Sequence, residues 1–402
     1  MTIIELQQQY AAHPNTAVME RLLKDASVQT IFCGGLCASS ASLFSSVLVK
    51  QDVCPFVFVL GDLEEAGYFY HDLTQVLGTE KVLFFPSSFR RSIKYGQKDA
   101  ANEILRTEVL SRLQKGEEGL CIVTYPDALA EKVVSRKELS DKTLKLNVGE
   151  KLDTTFITDV LHSYGFEYVD YVYEPGQYAV RGSIDFFGDE VESIRTFEVE
   201  SQLSRERKQG VAIVPDLAVT GDVTTSFLDF IPKETVLAMR DFLWLRERIQ
   251  VVHDEALTPQ AIAVQEAEEN GGITLEGKLI DGSEFTVRAL DFRRMEFGNK
   301  PTGTPDAKIS FHTSVQPIFH KNFDLVAGSF KDYLEQGYSL YICSDSTKQT
   351  DRIRAIFEDR GDKIQFTPVV RTIHEGFVDH TLHLCIFTDH QLFDRFHKYN
   401  LK

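Results

Sequence analysis

Short β-rich runs alternate with helical patterns along the first part of the chain, and this alternation limits the possible folds more than any other feature. The runs VQTIF, FVFVL, KVLFF and LCIVTY are separated by stretches whose apolar residues recur at helical spacing. Strands that alternate with helices build βαβ units and a parallel sheet. Residues 1–125 are therefore predicted to form an α/β domain.

Local signals mark the helix ends inside this region. Asp62 directly precedes a predicted helix over Leu63–Leu77, and Glu65 lies three residues later, which is the spacing of a capping box. A longer helix is predicted to end at Gly116, just before the run LCIVTY. The sheet layer is thus complete before residue 126.

The pattern changes at Pro126, and the rest of the chain is divided into four segments. Residues 126–208 carry shorter strands, one helix and a Glu-Pro-Gly turn, and are predicted to form an inserted α+β domain. Residues 209–297 return to the first domain, beginning with GVAIVP as a buried strand. Residues 298–306 (GNKPTGTPD) are predicted to be a linker. Residues 307–402 alternate again and are predicted to form a small α/β domain of unknown role.

The loop after VQTIF stands where a nucleotide-binding P-loop is expected, but it lacks the residues for that chemistry. A working P-loop needs glycines, so that amides can wrap the phosphates, and a lysine that meets the β and γ oxygens. If Gly35 is the first loop glycine, Ala38 and Ser40 replace the next two and Ala41 stands in place of the lysine. The loop is therefore predicted to be a degenerate nucleotide loop that binds nothing, and no cofactor is expected.

Charge and hydropathy exclude further classes of function. The formal net charge of -17 repels polyanions, and phosphate contacts supply most non-specific affinity for nucleic acids, so we expect no DNA binding by this chain alone. No apolar run approaches the ~20 residues that span a bilayer. The start of the chain, MTIIELQQQY, lacks the layout of a signal peptide. A cytoplasmic location without membrane contact is predicted.

The cysteines and histidines do not form a recognisable metal motif. Cys33 and Cys37 have no second Cys or His pair at zinc-ligand spacing around them. Seven of the eleven histidines fall in the last predicted domain, but their spacings match no zinc pattern, so they are interpreted as surface and core residues. No metal site and no catalytic set are predicted.

Four motifs make the chain similar to the N-terminal half of the transcription-repair coupling factors (Mfd), a family that itself resembles the excision-repair subunit UvrB. The motifs are DLEEAGYFYHDL, EPGQYAVRG, FFGDEVESIRTFEVESQLS and LIDGSEFTVRALDFRRMEFG. The resemblance implies a UvrB-like α/β domain with an eroded ATP site, interrupted by the insert and followed by the family's variable domain. It also implies a non-catalytic part of an ATP-dependent DNA translocase, which contacts RNA polymerase and DNA through domains absent from this chain. In the full-length protein this part would restrain the motor.

The resemblance further implies that the insert docks UvrA. In the family, the arginine of the AVRG motif and the second phenylalanine of the FFGDE motif lie in that contact, which assigns the role to Arg181 and Phe187. A guanidinium offers a planar fork of donors to carboxylates, and an aromatic ring offers a desolvated anchor. Only four residues separate Arg181 from Phe186, where the family has a longer segment. Either a loop is deleted here or the printed sequence omits it, and in both cases the family's second interface arginine cannot be assigned.

Alternatives remain open at each step. Phe186 and Phe187 point to opposite faces if they lie in a strand, so one of them must be core. In the same alternative, Arg195 or Glu192 pairs with the neighbours of Arg181 only to hold the sheet together. A UvrB-type ATP-dependent excision-repair subunit is the alternative function. The missing lysine favours the coupling factors, because UvrB keeps a complete P-loop. A scaffold without a protein partner is a third possibility.

Overall fold

The computed structural model describes residues 1–89, 99–173, 176–179, 184–215, 222–266 and 275–399. Helices and strands alternate over the described residues before position 143. In chain order they are α1 (Ile3–Tyr10), α2 (Pro14–Lys24), β1 (Thr30–Gly34), α3 (Ser40–Lys50), β2 (Phe56–Val59), α4 (Leu63–Leu77), β3 (Val82–Phe84), α5 (Ala100–Gln114), β4 (Cys121–Thr124), α6 (Pro126–Ala130), β5 (Val133–Val134) and α7 (Arg136–Lys142).

Short strands dominate the next part of the chain, which we call the inserted unit (residues 144–213). Its described elements are β6 (Leu144–Asn147), α8 (Thr154–Ser163), β7 (Glu167–Tyr168), β8 (Gln177–Tyr178), β9 (Ile184–Phe187), β10 (Glu190–Phe197), β11 (Ser204–Lys208) and β12 (Gly210–Ile213).

The chain then returns to alternating elements. They are β13 (Val223–Thr225), α9 (Phe227–Phe230), β14 (Val236–Met239), α10 (Phe242–Ala256), α11 (Pro259–Glu266), α12 (Gly282–Ala289), β15 (Arg293–Gly298) and β16 (Ala307–Ser310). We call the remainder, residues 311–399, the small unit. Its elements are β17 (Thr313–Val315), α13 (Phe323–Glu335), β18 (Ser339–Ser344), α14 (Thr347–Asp359), β19 (Thr367–Val370), β20 (Phe377–Asp379), β21 (Leu384–Thr388) and α15 (Asp389–Leu392).

The described strands include a parallel seven-stranded sheet in the order β16-β1-β15-β14-β2-β4-β3. Its central strands are buried along their whole length, as in FVFV of β2 and VLAM of β14. Continuous apolar runs of this kind are typical of parallel strands that helices cover on both faces. The α/β fold predicted from the alternation of strands and helices is confirmed. The expectation that the sheet is complete before residue 126 is wrong, because β14, β15 and β16 also pair within it.

Helix α4 has the bounds that its capping residues predict. Asp62 accepts a hydrogen bond from the Glu65 N–H at 2.9 Å, as an N-cap residue does. The reciprocal bond of a capping box runs to Gly61 instead of Asp62, because the Gly61 N–H donates to Glu65 Oε2 at 2.7 Å. The carboxylate of Glu65 thereby fixes the turn that leads from β2 into α4.

The inserted unit has a small core of its own. Its most buried members are Leu146, Ile157, Val191 and Ile194. Strand β12, from the run GVAIVP, pairs antiparallel with β6 and is only partly buried. The prediction that this run returns to the first domain as a buried strand is therefore wrong, because its pairing partner lies in the inserted unit. Residues just before this unit, such as Leu129 and Val133, pack in the core of the large sheet.

The small unit is built on a mixed sheet in the order β17-β20-β21-β18-β19. The small unit has a core of its own, which contains Phe330, Ile342 and Phe357. Two of its other residues, Ile373 and Phe377, pack instead in the core of the large sheet. Helix α1 lies between the two sheets, and the bridge between Thr2 and Val370 ties its start to β19. The small unit therefore packs directly against the large one.

Candidate functional site

The predicted docking phenylalanine, Phe187, stands at the end of a β hairpin in the inserted unit. It is the last residue of β9 and lies opposite Glu190, the first residue of β10. Gly188 follows with a φ of +66°, a left-handed conformation that glycine adopts without strain. Phe187 is 79% exposed. Its ring is therefore accessible to a binding partner.

Phe186 takes the opposite role. It points to the other face of β9, as the alternation of side chains along a strand requires. There it packs against the core of the inserted unit. Of the two adjacent phenylalanines, Phe186 is thus the core residue and Phe187 the surface residue.

Arg195 is engaged within the same sheet. Its guanidinium forms an ion pair with Asp185 across β9 and β10, and the Ser193 hydroxyl donates to the same carboxylate at 2.9 Å. Both charged side chains are about one third exposed, so the pair contributes at most about 1 kcal/mol to stability. Arg195 therefore has the sheet-holding contact that the sequence left open.

Arg181, the other predicted docking residue, lies outside the described residues, together with Gly182 and Ser183. Of the motif before it, residues 176–179 are described, and Gln177 and Tyr178 form β8. Strand β8 pairs in parallel with β7, and the ring of Tyr178 meets that of Tyr168 edge-on with centroids 5.6 Å apart. A role for Arg181 stays a prediction.

Sequence analysis missed an apolar surface elsewhere on the inserted unit. Tyr171, Tyr173 and Leu203 are each more than 60% exposed. The Gln202 side-chain amide donates to the Val172 carbonyl at 2.9 Å, which ties the tyrosine segment to the β10–β11 turn. The alternating tyrosines of YVDYVY were the available signal. Exposed apolar groups that lie together mark surfaces for protein contact.

The degenerate nucleotide loop is closed by the small unit. Gly35 has a φ of +86°, and a Cβ atom there would overlap the carbonyl oxygen of Phe311. Ala38 also has a positive φ of 49°. The loop therefore keeps a tight, left-handed turn, but the space beside it is filled by protein.

The loop amides are already used within the chain. The Cys37 N–H donates to the hydroxyls of Ser40 at 2.9 Å and Thr313 at 3.1 Å. The Ser39 N–H donates to the Glu375 carbonyl at 3.2 Å, and the Glu375 N–H donates back to Ser39 Oγ at 2.9 Å. A phosphate group would need these donors, so it would have to displace the small unit.

A cavity of about 390 Å³ opens beside this loop, at the carboxyl ends of β2, β14 and β15. Crevices at this edge of a parallel sheet are the usual ligand sites of α/β folds. Ala41 lines the cavity, so no lysine stands at that position. The charged and titratable lining is mostly acidic: Asp62, Glu64, Glu65, Asp72 and Glu375, with Arg240 and His374.

The charges in the cavity disfavour a polyphosphate. Arg240, which lines the cavity, forms an ion pair with Glu65 at 2.8 Å, so its charge is already compensated by a carboxylate. Burial raises the pKa of Asp72 to about 6, although hydrogen bonds from the Ser42 hydroxyl and the His374 N–H oppose this shift. At neutral pH the cavity is therefore negative, and it repels anions.

Neither a metal-binding cluster nor a membrane-spanning helix is found in the described part of the chain. No group of three or more His, Cys, Asp or Glu side chains there is arranged to hold a metal ion. None of the helices over those residues combines the length and the apolar character needed to cross a bilayer.

Comparison with known proteins gives one consistent result. No protein-family profile matches the chain. It is similar to the transcription-repair-coupling factor of Bacillus subtilis (strain 168), with 27% identity over 196 residues that cover 45% of this chain and 16% of that protein. The factor of the same name from Escherichia coli (strain K12) is 24% identical over 198 residues, covering 45% and 17%.

A longer alignment extends this similarity along the chain. The transcription-repair-coupling factor of Staphylococcus aureus (strain bovine RF122 / ET3-1) is 20% identical over 441 aligned residues, which cover 89% of this chain and 38% of that protein. The matched part thus spans between 16% and 38% of the length of these relatives.

Proposed function

We propose that this chain, which is similar to the transcription-repair-coupling factors, is a docking module of cytoplasmic transcription-coupled DNA repair that performs no catalysis itself. Its partner is UvrA, bound through the inserted unit. RNA polymerase and DNA are contacted by parts of the longer protein that this chain does not contain. Those parts include the ATP-dependent translocase, which this module restrains by covering the UvrA-binding face.

The observation that carries the proposal is the contrast between Phe187 and Phe186. Because Phe187 is 79% exposed, its ring lacks the favourable free energy of burial that the neighbouring Phe186 gains. A protein partner recovers that free energy when the ring enters a desolvated pocket, which is how aromatic anchors act at interfaces. The hairpin holds the ring in place through the ladder between β9 and β10. Arg181, five residues before Phe186, adds a donor fork for a carboxylate.

The acidic cavity and the occupied loop support a module without nucleotide chemistry. A UvrB-type ATP-dependent subunit needs free loop amides and a lysine, whereas here the amides of Cys37 and Ser39 contact the small unit and residue 41 is alanine. The degenerate loop residues Gly35, Ala38, Ser40 and Ala41 therefore serve packing. No cofactor is required for the proposed role.

UvrA capture tests the proposal with a matched pair of variants. Phe187→Ala removes the exposed ring of the hairpin, and Phe156→Ala removes another exposed ring of the same unit, on α8. We expect Phe187→Ala and Arg181→Glu each to weaken UvrA binding at least roughly tenfold, since interface anchors contribute about 2 kcal/mol or more. Phe156→Ala keeps wild-type affinity.

Undiminished capture by both Phe187→Ala and Arg181→Glu would refute docking through this face. Circular dichroism of each variant separates lost binding from lost folding. Deletion of the inserted unit from the full-length protein, with no loss of repair, would instead favour the scaffold without a partner.

A further inference from the structure

Four histidines that are far apart in sequence meet where the small unit contacts α4. We call His71, His374, His390 and His397 the histidine cluster. The His397 ring lies at the centre, with centroid distances of 4.6 Å to His390, 5.2 Å to His71 and 5.8 Å to His374. Three of them, His374, His390 and His397, are among the histidines that the sequence predicts to be surface and core residues.

The surroundings of the cluster favour the uncharged form of the four rings. His390 Nε2 lies 2.8 Å from the His374 carbonyl oxygen, so this nitrogen carries a proton and donates it. His71 Nε2, His374 Nδ1 and His397 Nδ1 are buried and have no hydrogen-bond partner among the residues that the structure describes. A protonated ring would bury a positive charge beside three other imidazoles, which costs free energy unless a counter-ion pairs with it.

A short segment at the end of the described chain is held on this cluster. We call residues 396–399 the strap. The Tyr68 hydroxyl donates to the His397 carbonyl at 2.7 Å, and the Tyr399 ring fills the space above Gly67, where a Cβ atom would overlap it. The strap has no regular secondary structure, and Phe396 is 74% exposed. Its attachment therefore depends on the stacking of His397 and the contacts of two tyrosines.

Charged and titratable groups face the cluster from every element packed around it. They are Tyr68 and Asp72 from α4, Asp345 after β18, Arg371 and Glu375 between β19 and β20, Asp389 from α15, Arg395 just before the strap and Tyr399 within it. Burial dominates over their charges. It lowers the pKa of His374 and of His390 to about 4, and it lowers the pKa of His71 and of His397 as well.

We propose that the histidine cluster is an acid-sensitive clasp, which holds the strap on α4 while all four rings are neutral and releases it when they take up protons. Release gives His397 and its neighbours the solvent they need to carry charge. It also uncovers Leu63, Gly67 and Tyr68 on α4. Tyr68 and His374 also line the acidic cavity.

The direction of the pH effect follows from linkage. An exposed histidine has a pKa of about 6.5. The histidines have the lower pKa while the strap is held, so the released state binds more protons. The strap is therefore fully held above pH ~6.5 and is released as the pH falls toward ~4. If the pKa of one histidine returned fully from about 4 to about 6.5 on release, release would be favoured roughly 20-fold at pH 5 relative to pH 7, which is the upper limit for each ring.

Hydroxyl-radical labelling of the side chains of the whole chain at pH 7.5 and pH 5 tests the clasp, with rates corrected against free tyrosine at each pH. We expect protection of Tyr68 and of the strap residue Tyr399 from labelling to fall at least roughly tenfold at pH 5, while the buried Tyr341 of β18 and Phe387 of β21 keep theirs. The double variant His374→Gln/His390→Gln removes two of the proton sites and keeps the strap protected at pH 5. If that variant does not fold, His71→Asn takes its place.

Two further variants serve as controls for the measurement. Gly67→Ala adds a Cβ atom under the Tyr399 ring and releases the strap at both pH values, although alanine favours the helix itself. His320→Gln alters a histidine whose side chain is 80% exposed and leaves the pH effect unchanged. Equal strap protection at both pH values in the wild type, or the same acid loss in the double variant, would overturn the proposal. So would a loss in β18 and β21 that parallels the loss in the strap.

Discussion

The carbonyl oxygen of Phe311 occupies the space that a Cβ atom at Gly35 would need, so the loop after β1 closes directly against the small unit. A second contact in the same place joins Ser39 to Glu375 by two hydrogen bonds. The loop after β1 is therefore a packing element in this chain.

Replacement of Gly35 by alanine tests that packing against a matched control. Gly35 and Gly149 both have a φ of +86°, but a Cβ atom at Gly149 meets nothing within 4 Å. Gly149→Ala introduces only the strain of the left-handed backbone, which lowers the free energy of unfolding by about 1–2 kcal/mol. Gly35→Ala adds an overlap with backbone that cannot move freely, so we expect a loss at least about 2 kcal/mol larger. Urea unfolding followed by circular dichroism measures both, and equal losses would contradict closure of the loop.

A lysine restored at position 41 tests whether its absence alone abolishes nucleotide binding. We expect Ala41→Lys to show no thermal shift with ATP and Mg²⁺, because the amides of Cys37 and Ser39 stay bonded to the small unit and the cavity stays acidic. The wild type is expected to behave in the same way. A stabilisation at micromolar ATP in the wild type would favour the UvrB-type alternative. One in the variant alone would mean that the loop amides are free to bind phosphate.

The sequence was sufficient for the features that depend on neighbouring residues. The alternation of apolar runs with helical patterns predicts the parallel sheet, and Asp62 predicts the start of α4, because both signals are local. The alternation at Phe186 and Phe187 requires one buried and one exposed ring. The family resemblance drawn from the motifs is confirmed by the coupling-factor relatives.

Contacts between residues that are far apart along the chain could not be predicted from the sequence. Nothing near GVAIVP indicates that its partner is β6, because apolar strands pair by shape and register in the folded chain. The hydrogen bond from Glu375 to Ser39 spans 336 positions, and Cys37 meets Thr313 across 276. His71 and His397 meet in the same way. Spacing in one sequence carries no information on such pairs, so the occupied loop and the histidine cluster appear only in three dimensions.

The carboxylate of Asp72 predicts a pH dependence of stability that opposes the usual trend. Its pKa is raised to about 6 in the folded chain by burial, against an ordinary value near 3.8. The folded state therefore binds the proton more tightly, and this group lowers stability as the pH rises from about 4 to about 6, by up to about 3 kcal/mol. We expect Asp72→Asn to unfold at higher urea concentration than the wild type at pH 8, with little difference at pH 4. A variant that is less stable at pH 8 would contradict a burial-dominated carboxylate.

The core of the inserted unit predicts that this unit unfolds separately from the sheet that carries it. Ile194 is 3% exposed and packs with Leu146, Ile157 and Val191, a core too small to absorb a cavity. Ile194→Ala removes buried methyl and methylene groups, at a cost of about 2–5 kcal/mol. We expect fast hydrogen exchange throughout residues 144–213 and loss of UvrA capture, while the large sheet keeps its protection. Ile309→Ala in β16, equally buried, gives the reverse pattern, with destabilisation of the large sheet and an intact inserted unit. If both variants loosen the whole chain together, the inserted unit has no independent stability, and Phe187 is held in place by the large sheet as well as by its own hairpin.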